Sequence, residues 1–486
     1  MLARAHTFTI DGPEARHVTV EVDVRGGLPA FAIVGLADTA VREARERIQT
    51  AVRNAGFEWP TRRITANLAP GDLPKAGSGL DLALACAILA ATEQMPLAPL
   101  ADAALLGELG LDGTVRPARG TLAIADAAHR SGLTTLGVAT ESAREAALVE
   151  GLTVAPLRDL AAAGRLFGGA PPDPMPPPAA DRNGTTEAGP ELAEVRGQEE
   201  AIRALVVAAA GGHSLLLSGP PGVGKTMLAR RLPGILPPLH RDEAIELALL
   251  ESLRTGHVET LRRPRPFRSP HHTIAAGALT GSEAVLAHRG VLFLDELPEF
   301  SRAALDALRQ PLEDGFVAAP RGGPAAAQPA RFMLVSAMNP CPCGYADEPE
   351  RCRCSGPMRV RHRRRLSGPL LDRIDLIVTL RAEPPGSGGR STSAARAEVR
   401  AARERQARRL AADGVRLNSE MDAPMIARHA RLDGRARKLL DATRLRGSLS
   451  PRAEHRALAV ARTIADLAAH ERIRGEDVAD ALALRS

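Results

Sequence analysis

A glycine-rich segment near the middle of the chain has the residue types and spacing that bind phosphate. Residues 219–226 (GPPGVGKT) fit the pattern G-x-x-x-x-G-K-[ST], between an apolar stretch at 214–217 and a helix-forming stretch at 227–231. Glycines let backbone N–H groups close around phosphate oxygens at a helix N-terminus. We therefore predict an ATP-binding loop, in preference to a chance glycine-rich turn, made of Gly219, Pro220, Pro221, Gly222, Val223, Gly224, Lys225 and Thr226.

The last two residues of this loop have individual chemical roles. Lys225 is one of only three lysines in a chain with 63 basic residues. Its ammonium group is expected to reach the β- and γ-phosphates, and the Thr226 hydroxyl is expected to ligate Mg²⁺.

An acidic pair, Asp295 and Glu296, follows the apolar residues 290–294. A buried strand there would carry both carboxylates to its C-terminal end, where open α/β sheets bind ligands. Asp295 is then expected to hold Mg²⁺, mostly through water, and Glu296 to polarise the attacking water as general base. An ordinary strand exit is the alternative, and the phosphate loop upstream favours the catalytic interpretation.

A third apolar stretch, 331–337, leads to Asn339. A polar side chain there could orient the attacking water between the two preceding strands. An Asn before a proline is most often a turn former, so this role depends on the family resemblance.

Four cysteines lie within fourteen residues after this stretch. Four thiolates suit tetrahedral Zn²⁺, and two short pairs separated by a small loop can enclose one ion. Free buried cysteines are the alternative, which the surrounding Pro342 and Gly344 disfavour. We predict a zinc site formed by Cys341, Cys343, Cys352 and Cys354, whereas Cys86, in an apolar helix, is expected in the core.

Two arginine-rich runs could contact a polyanion. Residues 359–365 (RVRHRRR) contain five arginines, and residues 262–268 (RRPRPFR) form a second run, in a chain of net charge +6. Aromatic residues make up 2% of the chain, so contact with DNA would be largely electrostatic. A solvated basic face, or arginines at a subunit interface, is the alternative.

The length of 486 residues predicts several domains. Residues 1–167 alternate strand and helix patterns as one α+β unit, and 168–190 form a proline-rich linker. Residues 191–383 have the pattern of a parallel α/β sheet. After a Pro/Gly/Ser spacer at 384–393, residues 394–486 are expected to be helical.

Several local elements follow from sequence pattern. Residues 18–24 alternate as a strand does, and residues 63–68 are also strand-like. Asp38 is expected to cap a helix that ends near Asn54. Residues 107–116 are expected to form a hairpin, and Ser450-Pro451 is expected to start a long helix.

The N-terminus lacks a charged-then-apolar signal pattern, and no apolar run reaches the ~18 residues of a membrane span. We expect a cytoplasmic protein with no membrane partner.

Read together, these motifs resemble the ComM/YifB family of Mg-chelatase-like AAA+ ATPases, over nearly the whole chain. The ordered set is far more specific than the phosphate loop alone. The segments that carry the resemblance are 28–36 (LPAFAIVGL), 41–47 (VREARER), 67–70 (NLAP), 196–198 (RGQ), 267–273 (FRSPHHT), 294–300 (LDELPEF), 338–345 (MNPCPCGY) and 367–376 (SGPLLDRIDL).

The resemblance implies a homo-hexameric ring with ATP bound between subunits. Asn339 then corresponds to sensor 1, and Arg373 to the arginine finger that reaches the neighbouring site. Arg452 corresponds to sensor 2 in a C-terminal helical lid, with Arg456 as a competing candidate. A solvated surface charge is the alternative for each arginine.

The resemblance also implies a Lon-protease-like α+β N-terminal domain, an AAA+ parallel α/β ATPase core and the C-terminal helical lid. Lon peptidases use a Ser–Lys dyad. Here Ser78 lies one place before the catalytic position, which is Gly79, and Leu122 occupies the lysine position. Without a base Ser78 is a poor nucleophile, so we predict no peptidase activity and a structural or partner-binding role.

The expected function is an ATP-driven motor on single-stranded or branched DNA, a helicase or branch-migration factor of natural transformation. The alternative is a magnesium-chelatase-type ATPase subunit that remodels a protein partner. Residues 273–286 lack a longer Gly-rich insertion expected from the family, which affects how DNA would be translocated.

Overall fold

The computed structural model describes residues 2–11, 14–36, 38–75, 77–176, 189–318, 327–346, 348, 350–381, 389–445 and 450–485. The chain forms two compact units. The first comprises Met1–Gly184, His240–Arg262 and Ala318–Ala327, and the second comprises Thr185–Leu239, Arg263–Val317 and Gln328–Ser486. Residues 177–188 of the predicted linker and 384–388 of the predicted spacer lie outside the described ranges.

The first unit is built on a sheet. Its strands are β1 (Leu2–Asp11), β2 (Glu14–Arg25), β3 (Ala30–Val34), β4 (Arg63–Ala69), β5 (Ala103–Leu106), β6 (Glu108–Leu109), β7 (Val115–Arg116), β8 (Thr135–Ala139) and β9 (Thr153–Leu157). Within the described residues the sheet has seven strands in the order β3-β4-β2-β1-β5-β8-β9, while β6 and β7 form the predicted hairpin.

The helices of this part of the chain are α1 (Thr39–Asn54), α2 (Asp81–Ala91), α3 (Thr121–Arg130), α4 (Ala143–Ala146) and α5 (Leu160–Phe167). The Asp38 carboxylate accepts a hydrogen bond from the Val41 N–H at 2.9 Å, which confirms the predicted cap of α1. Helix α2 is buried along its whole length because its residues are almost all apolar, and Cys86 lies in this core as predicted.

The strands of the second unit are β10 (Leu215–Ser218), β11 (Phe267–Arg268), β12 (Val291–Leu294), β13 (Phe316–Val317), β14 (Gln328–Pro329), β15 (Met333–Met338) and β16 (Leu376–Thr379). Strands β11-β12-β15-β10-β16 form a sheet in that order, and every neighbouring pair is parallel. The predicted parallel α/β sheet is therefore confirmed. Its strands are apolar runs because both faces of a parallel sheet are covered.

The remaining helices are α6 (Glu199–Gly211), α7 (Lys225–Ala229), α8 (Leu232–Ile235), α9 (Arg241–Thr255), α10 (Ala276–Ala278), α11 (Arg302–Ala307), α12 (Arg309–Asp314), α13 (Gly356–Arg364), α14 (Gly368–Leu371), α15 (Thr392–Leu410), α16 (Ala423–His429), α17 (Gly434–Leu445), α18 (Pro451–Leu467) and α19 (Gly475–Ala483). The C-terminal residues are helical as predicted, and the Ser450 hydroxyl caps α18 by accepting from the Ala453 N–H at 3.2 Å. Leu279–Ala284, within the segment 273–286, form a π-helical turn.

Helix α9 belongs to the first unit, which differs from the predicted core boundary at 191–383. Its Ala248 packs in a core cluster with Phe8 and Leu122. Ser252 donates to the buried carboxylate of Glu145, which His257 also contacts at 3.2 Å. Residues from β1 to β9 thus share a core with a helix about a hundred residues downstream of β9, which local sequence pattern does not reveal.

No helix in the described ranges combines the length and apolarity needed to cross a membrane.

Candidate nucleotide site

The phosphate loop connects the C-terminal end of β10 to the N-terminus of α7. Gly222 and Gly224 have φ of 79° and 98°, in the left-handed region that favours glycine. A Cβ added to Gly219 would lie 2.6 Å from the carbonyl oxygen of Leu380, so no side chain fits there. The spacing of glycines in the motif therefore has a direct steric cause in this fold.

The ammonium group of Lys225 is held at this loop by three oxygen atoms. It donates to the carbonyls of Gly219 at 2.7 Å and Pro220 at 2.8 Å, and to Oδ1 of Asn339 at 3.0 Å. Burial lowers the pKa of Lys225, although the nearby carboxylates of Asp295 and Glu296 oppose this shift. The cation is thus positioned before any anion arrives.

Thr226, in the first turn of α7, and Asp295, directly after β12, are brought together at the phosphate loop. The Thr226 hydroxyl donates to Oδ2 of Asp295 at 2.7 Å, and the other Asp295 oxygen accepts from the Glu296 N–H at 3.0 Å. A hydroxyl and a carboxylate are hard oxygen ligands of the kind that Mg²⁺ takes beside nucleotide phosphates, so the donor set fits that ion.

Glu296 occupies a strained backbone conformation at the end of β12. Its φ of 52° is left-handed, which costs a non-glycine residue on the order of 1 kcal/mol. Its side chain is 59% exposed and lies 3.6 Å from Nδ1 of His272. Sequence reasoning gave His272 no role at this site, since its proximity depends on the parallel pairing of β11 with β12.

Asn339 links the phosphate loop to a basic helix. Its side-chain oxygen accepts from Lys225, and its backbone carbonyl is 3.0 Å from Nε2 of the buried His362 on α13. A cavity of about 420 Å³ beside these groups is lined by residues that include Glu296, Asn339, Cys341, Arg361, His362 and Arg365. The carboxylate of Glu296 and the amide of Asn339 therefore face one solvent-accessible space next to the phosphate loop.

The three arginines assigned from the family lie near the N-terminal ends of the strands, whereas the phosphate loop lies at their C-terminal ends. Arg373 precedes β16, which pairs in parallel with β10 so that Leu376 is opposite Leu215. The phosphate loop instead follows the last residue of β10, so a strand of about 13 Å separates the two ends.

Arg373 and Arg452 both contact one carboxylate, that of Glu313. Arg373 is buried and donates to Glu313, and Arg452 donates to the same oxygen at 2.5 Å while its side chain remains 54% exposed. No hydrogen bond or ion pair in the described parts of the chain joins either arginine to the phosphate loop.

Arg456 makes internal contacts that connect helix α18 to the sheet. Its guanidinium donates to the carbonyl of Arg373 at 2.8 Å and to the carboxylate of Asp375. Burial alone would raise the pKa of Asp375, but a hydrogen bond from His213 and the charge of Arg456 outweigh it and hold that pKa well below its usual range. Arg456 thus joins α18 to the sheet, and Arg452 is the more accessible of the two sensor candidates.

The four cysteines form a compact cluster. The sulfur of Cys341 lies 3.4 Å from that of Cys343 and 3.8 Å from that of Cys352, and Cys343 lies 3.6 Å from Cys352. Cys354 completes a group whose sulfur atoms are all within 4.8 Å of one another. Tetrahedral zinc with Zn–S bonds of about 2.3 Å places its sulfur atoms about 3.8 Å apart, so the cluster fits that ion.

This cysteine cluster packs against the phosphate loop. A Cβ added to Gly344, whose φ is 88°, would lie 2.4 Å from Cδ of Pro221. The turn at Gly344 therefore packs directly on the phosphate loop, five residues after Asn339.

The two arginine-rich runs differ in their surroundings. In the run 262–268, Arg262 pairs with Glu251, Arg265 donates to the carbonyl of Pro237 and Arg268 pairs with Glu283. These contacts support a structural role for that run. On α13, Arg363 and Arg364 are exposed and have no side-chain hydrogen bond or ion pair among the residues described.

In the first unit, Ser78 has an acid as its partner. Its hydroxyl donates to the carboxylate of Glu108, and Leu122 is fully buried in the core. The nearby Lys75 is buried and donates to the carbonyl of Pro70. Neither contact provides the Ser–Lys pair of a Lon peptidase.

Comparison with known proteins identifies the relatives of the chain. Three family models match it in succession: "Subunit ChlI of Mg-chelatase" at 20–142, "Magnesium chelatase, subunit ChlI" at 191–387, and "Magnesium chelatase, subunit ChlI C-terminal" at 389–485.

The chain is 43% identical over 499 residues to an uncharacterised protein of Mycobacterium tuberculosis and 41% over 501 residues to the uncharacterised protein YifB of Escherichia coli. It is 39% identical over 502 residues to the competence protein ComM of Haemophilus influenzae. Each alignment covers 100% of this chain and 97% or 98% of the relative. With full-length relatives and a phosphate loop, an acidic strand end and a parallel sheet in place, the chain belongs to the ComM/YifB family of Mg-chelatase-like AAA+ ATPases.

Proposed function

We propose that the protein hydrolyses ATP to drive a ring-shaped motor on DNA. The observation that carries the hydrolytic part is the convergence of Lys225, Thr226, Asp295 and Asn339 within hydrogen-bond distance at the carboxyl edge of the sheet. These four side chains, which follow the C-terminal ends of three parallel strands, supply the charge and the oxygen ligands that a triphosphate and its metal require.

Each residue of this group has one task in the proposed reaction. Mg²⁺, when bound with ATP, neutralises phosphate charge, and Thr226 and Asp295 are the residues that would hold it. Lys225 exchanges its carbonyl partners for phosphate oxygens. Glu296 accepts the proton of the attacking water, and Asn339 orients that water.

Hydrolysis would also need a second copy of the chain. Arg373 and Arg452 lie at the opposite edge of the sheet from their own phosphate loop, so we propose that both act on the nucleotide of a neighbouring subunit. A closed homo-hexamer, which the family resemblance implies, would provide such a neighbour at every site. The C-terminal helices that carry Arg452 would then serve as the lid.

DNA is the proposed substrate of the motor. One full-length relative bears the name competence protein ComM. In this chain the exposed Arg363 and Arg364 of α13 offer cations that could contact phosphates, and they directly follow His362, whose ring contacts the backbone carbonyl of Asn339. A magnesium-chelatase-type subunit that acts on a protein partner is the alternative, supported by the names of the family models.

The experiment that separates these functions is an ATPase assay with no DNA, single-stranded DNA and branched DNA. We expect DNA to increase the rate, and we expect the Arg363→Ala/Arg364→Ala variant to lose most of that increase while keeping its basal rate. For this variant, the slope of log DNA affinity against log salt concentration should become shallower by about one per arginine removed.

The matched control is Arg4→Ala/Arg16→Ala, which removes the same charge from exposed positions of the first unit. Equal rates with and without DNA, together with stimulation by a chelatase partner protein, would favour the alternative function.

We also propose that the cysteine cluster binds one Zn²⁺ per chain. Purified protein is expected to contain about one zinc by elemental analysis, and the Cys352→Ser/Cys354→Ser variant to contain almost none. Because Gly344 packs on Pro221, this variant should also bind ATP more weakly. Cys86→Ala, which removes a core thiol, should keep its zinc; a zinc-free wild type after metal-replete expression would contradict the proposal.

For the first unit we propose a structural or partner-binding role in a Lon-protease-like domain without peptidase activity. The pairing of Ser78 with Glu108 and the buried Leu122 support the absence of a dyad.

A further inference from the structure

Three segments that are far apart in sequence meet at the carboxylate of Glu313. Glu313 lies near the end of α12, Arg373 follows α14, and Arg452 lies in the first turn of α18. Both arginines donate to the same oxygen, Oε1 of Glu313. One carboxylate therefore sets the distance between two guanidinium groups.

Arg373 and Arg452 are both positively charged, so the Glu313 carboxylate is needed to hold their guanidinium groups close together. Two like charges at this spacing repel one another, and an anion between them replaces repulsion with attraction. Arg373 is 7% exposed, and its Nε has no hydrogen-bond partner among the described residues. Arg452 is more than half exposed, so without Glu313 its long side chain would be free to take other rotamers.

The backbone that carries Glu313 is fixed relative to Arg373. Arg309, on the same helix as Glu313, donates to the Ser367 hydroxyl at 3.1 Å and pairs with Asp306 at 2.7 Å. Ser367 is the residue before α14, so α12 and the turn with Arg373 are held together independently of Glu313.

The attachment of α18 to the sheet also does not depend on Glu313. Arg456 already makes that connection through the buried Asp375, which also accepts from the Ser214 N–H at 3.0 Å. The pair that Glu313 makes with Arg452 is exposed on both sides, 38% and 54%, and exposed ion pairs contribute little to stability. The contacts of Glu313 are therefore better explained by alignment of the two arginines than by stability of the fold.

We propose that Glu313 is a positioning residue that holds Arg373 and Arg452 side by side, so that both cations reach the triphosphate bound to the neighbouring subunit. This inference rests on the proposed hydrolysis of ATP at sites shared between subunits. Glu313 does not contact the nucleotide, and it acts through the two arginines.

The first test is the steady-state kinetics of Glu313→Gln, which keeps the size of the side chain and removes its charge. We expect kcat to fall by about 10- to 100-fold, as for a catalytic group displaced by about 1 Å. KM for ATP should change less than about threefold, because the phosphate loop is untouched. Its thermal unfolding temperature should stay close to that of the wild type. Glu404→Gln, which removes an exposed ion pair with Arg400, is the matched control and should behave as the wild type.

The second test asks whether Glu313 acts on its own or on the next site. Glu313→Gln subunits have an intact phosphate loop, and Lys225→Ala subunits have intact arginines. Co-expressed with different tags and purified through both, the mixed assembly should hydrolyse ATP faster than either parent, since some sites combine the two intact halves.

A Glu313→Gln variant with the kcat of the wild type would overturn the inference, and so would a mixed assembly no faster than its parents. These results differ from a failure of the proposed function, in which the wild-type protein itself would not hydrolyse ATP.

Discussion

Replacing Lys225 with alanine is expected to lower the rate of ATP hydrolysis by about 10²- to 10³-fold, the effect of removing one strong donor to a developing charge. The ammonium group lies within 3.0 Å of two loop carbonyls and of Oδ1 of Asn339, so its loss removes the cation of the loop and the partner of the sensor amide together. Phosphate release would measure the rate of hydrolysis, and calorimetric titration would measure the affinity for ATP.

Lys438→Ala is the matched control, because Lys438 is an exposed lysine on α17. Its rate should equal that of the wild type. If Lys225→Ala hydrolysed ATP at the rate of the wild type, the assignment of the phosphate loop as the nucleotide site would be wrong.

The second large effect is expected from Glu296→Gln, which should bind ATP and fail to turn it over. Thr226 is hydrogen-bonded to Asp295, whereas the Glu296 side chain is 59% exposed and lies 3.6 Å from Nδ1 of His272. Removal of its charge therefore leaves the metal ligands in place and removes the base. The expected loss in kcat is about 10²- to 10⁴-fold, the usual contribution of a general base.

Single-turnover hydrolysis and equilibrium ATP binding would separate the chemical step from affinity. We expect the dissociation constant to stay within about threefold of the wild type and the chemical rate to fall. A variant that lost ATP binding instead would assign Glu296 to the binding of the metal. Glu404→Gln again serves as the control for loss of one carboxylate.

Much of the site could be predicted because its determinants are local. The left-handed backbone at 222 and 224 favours glycine, and the short apolar runs before Ser218 and Asp295 are typical of buried parallel strands. Since parallel strands end at the same edge of a sheet, motifs on adjacent strands are brought together. The cysteine spacing likewise limits the sulfur atoms to one small region.

The rest depends on contacts between distant residues. The choice between Arg452 and Arg456 needed the partners of each, Glu313 and Asp375, which lie 139 and 81 residues away. The proximity of His272 to Glu296 and the use of Arg265 and Arg268 in internal contacts have the same origin. Sequence pattern identified these residues as polar, and only the packing of the sheet assigned their partners.

Residues 240–262, which contain α9, interrupt the second unit in sequence and belong to the first, and this determines how the protein can be divided. The N–H of Leu239 donates to the carbonyl of Arg263 at 2.9 Å, so the two ends of residues 240–262 are adjacent in the second unit. A truncation near residue 190 would leave Ala248 and Ser252 without the partners that cover them, and such a fragment would expose apolar surface and tend to aggregate. Excision of 240–262 and closure of the gap with a two- or three-residue turn would instead give an ATPase half with a native boundary. The separable pieces of this protein are therefore defined by an internal insertion and not by its proline-rich connection.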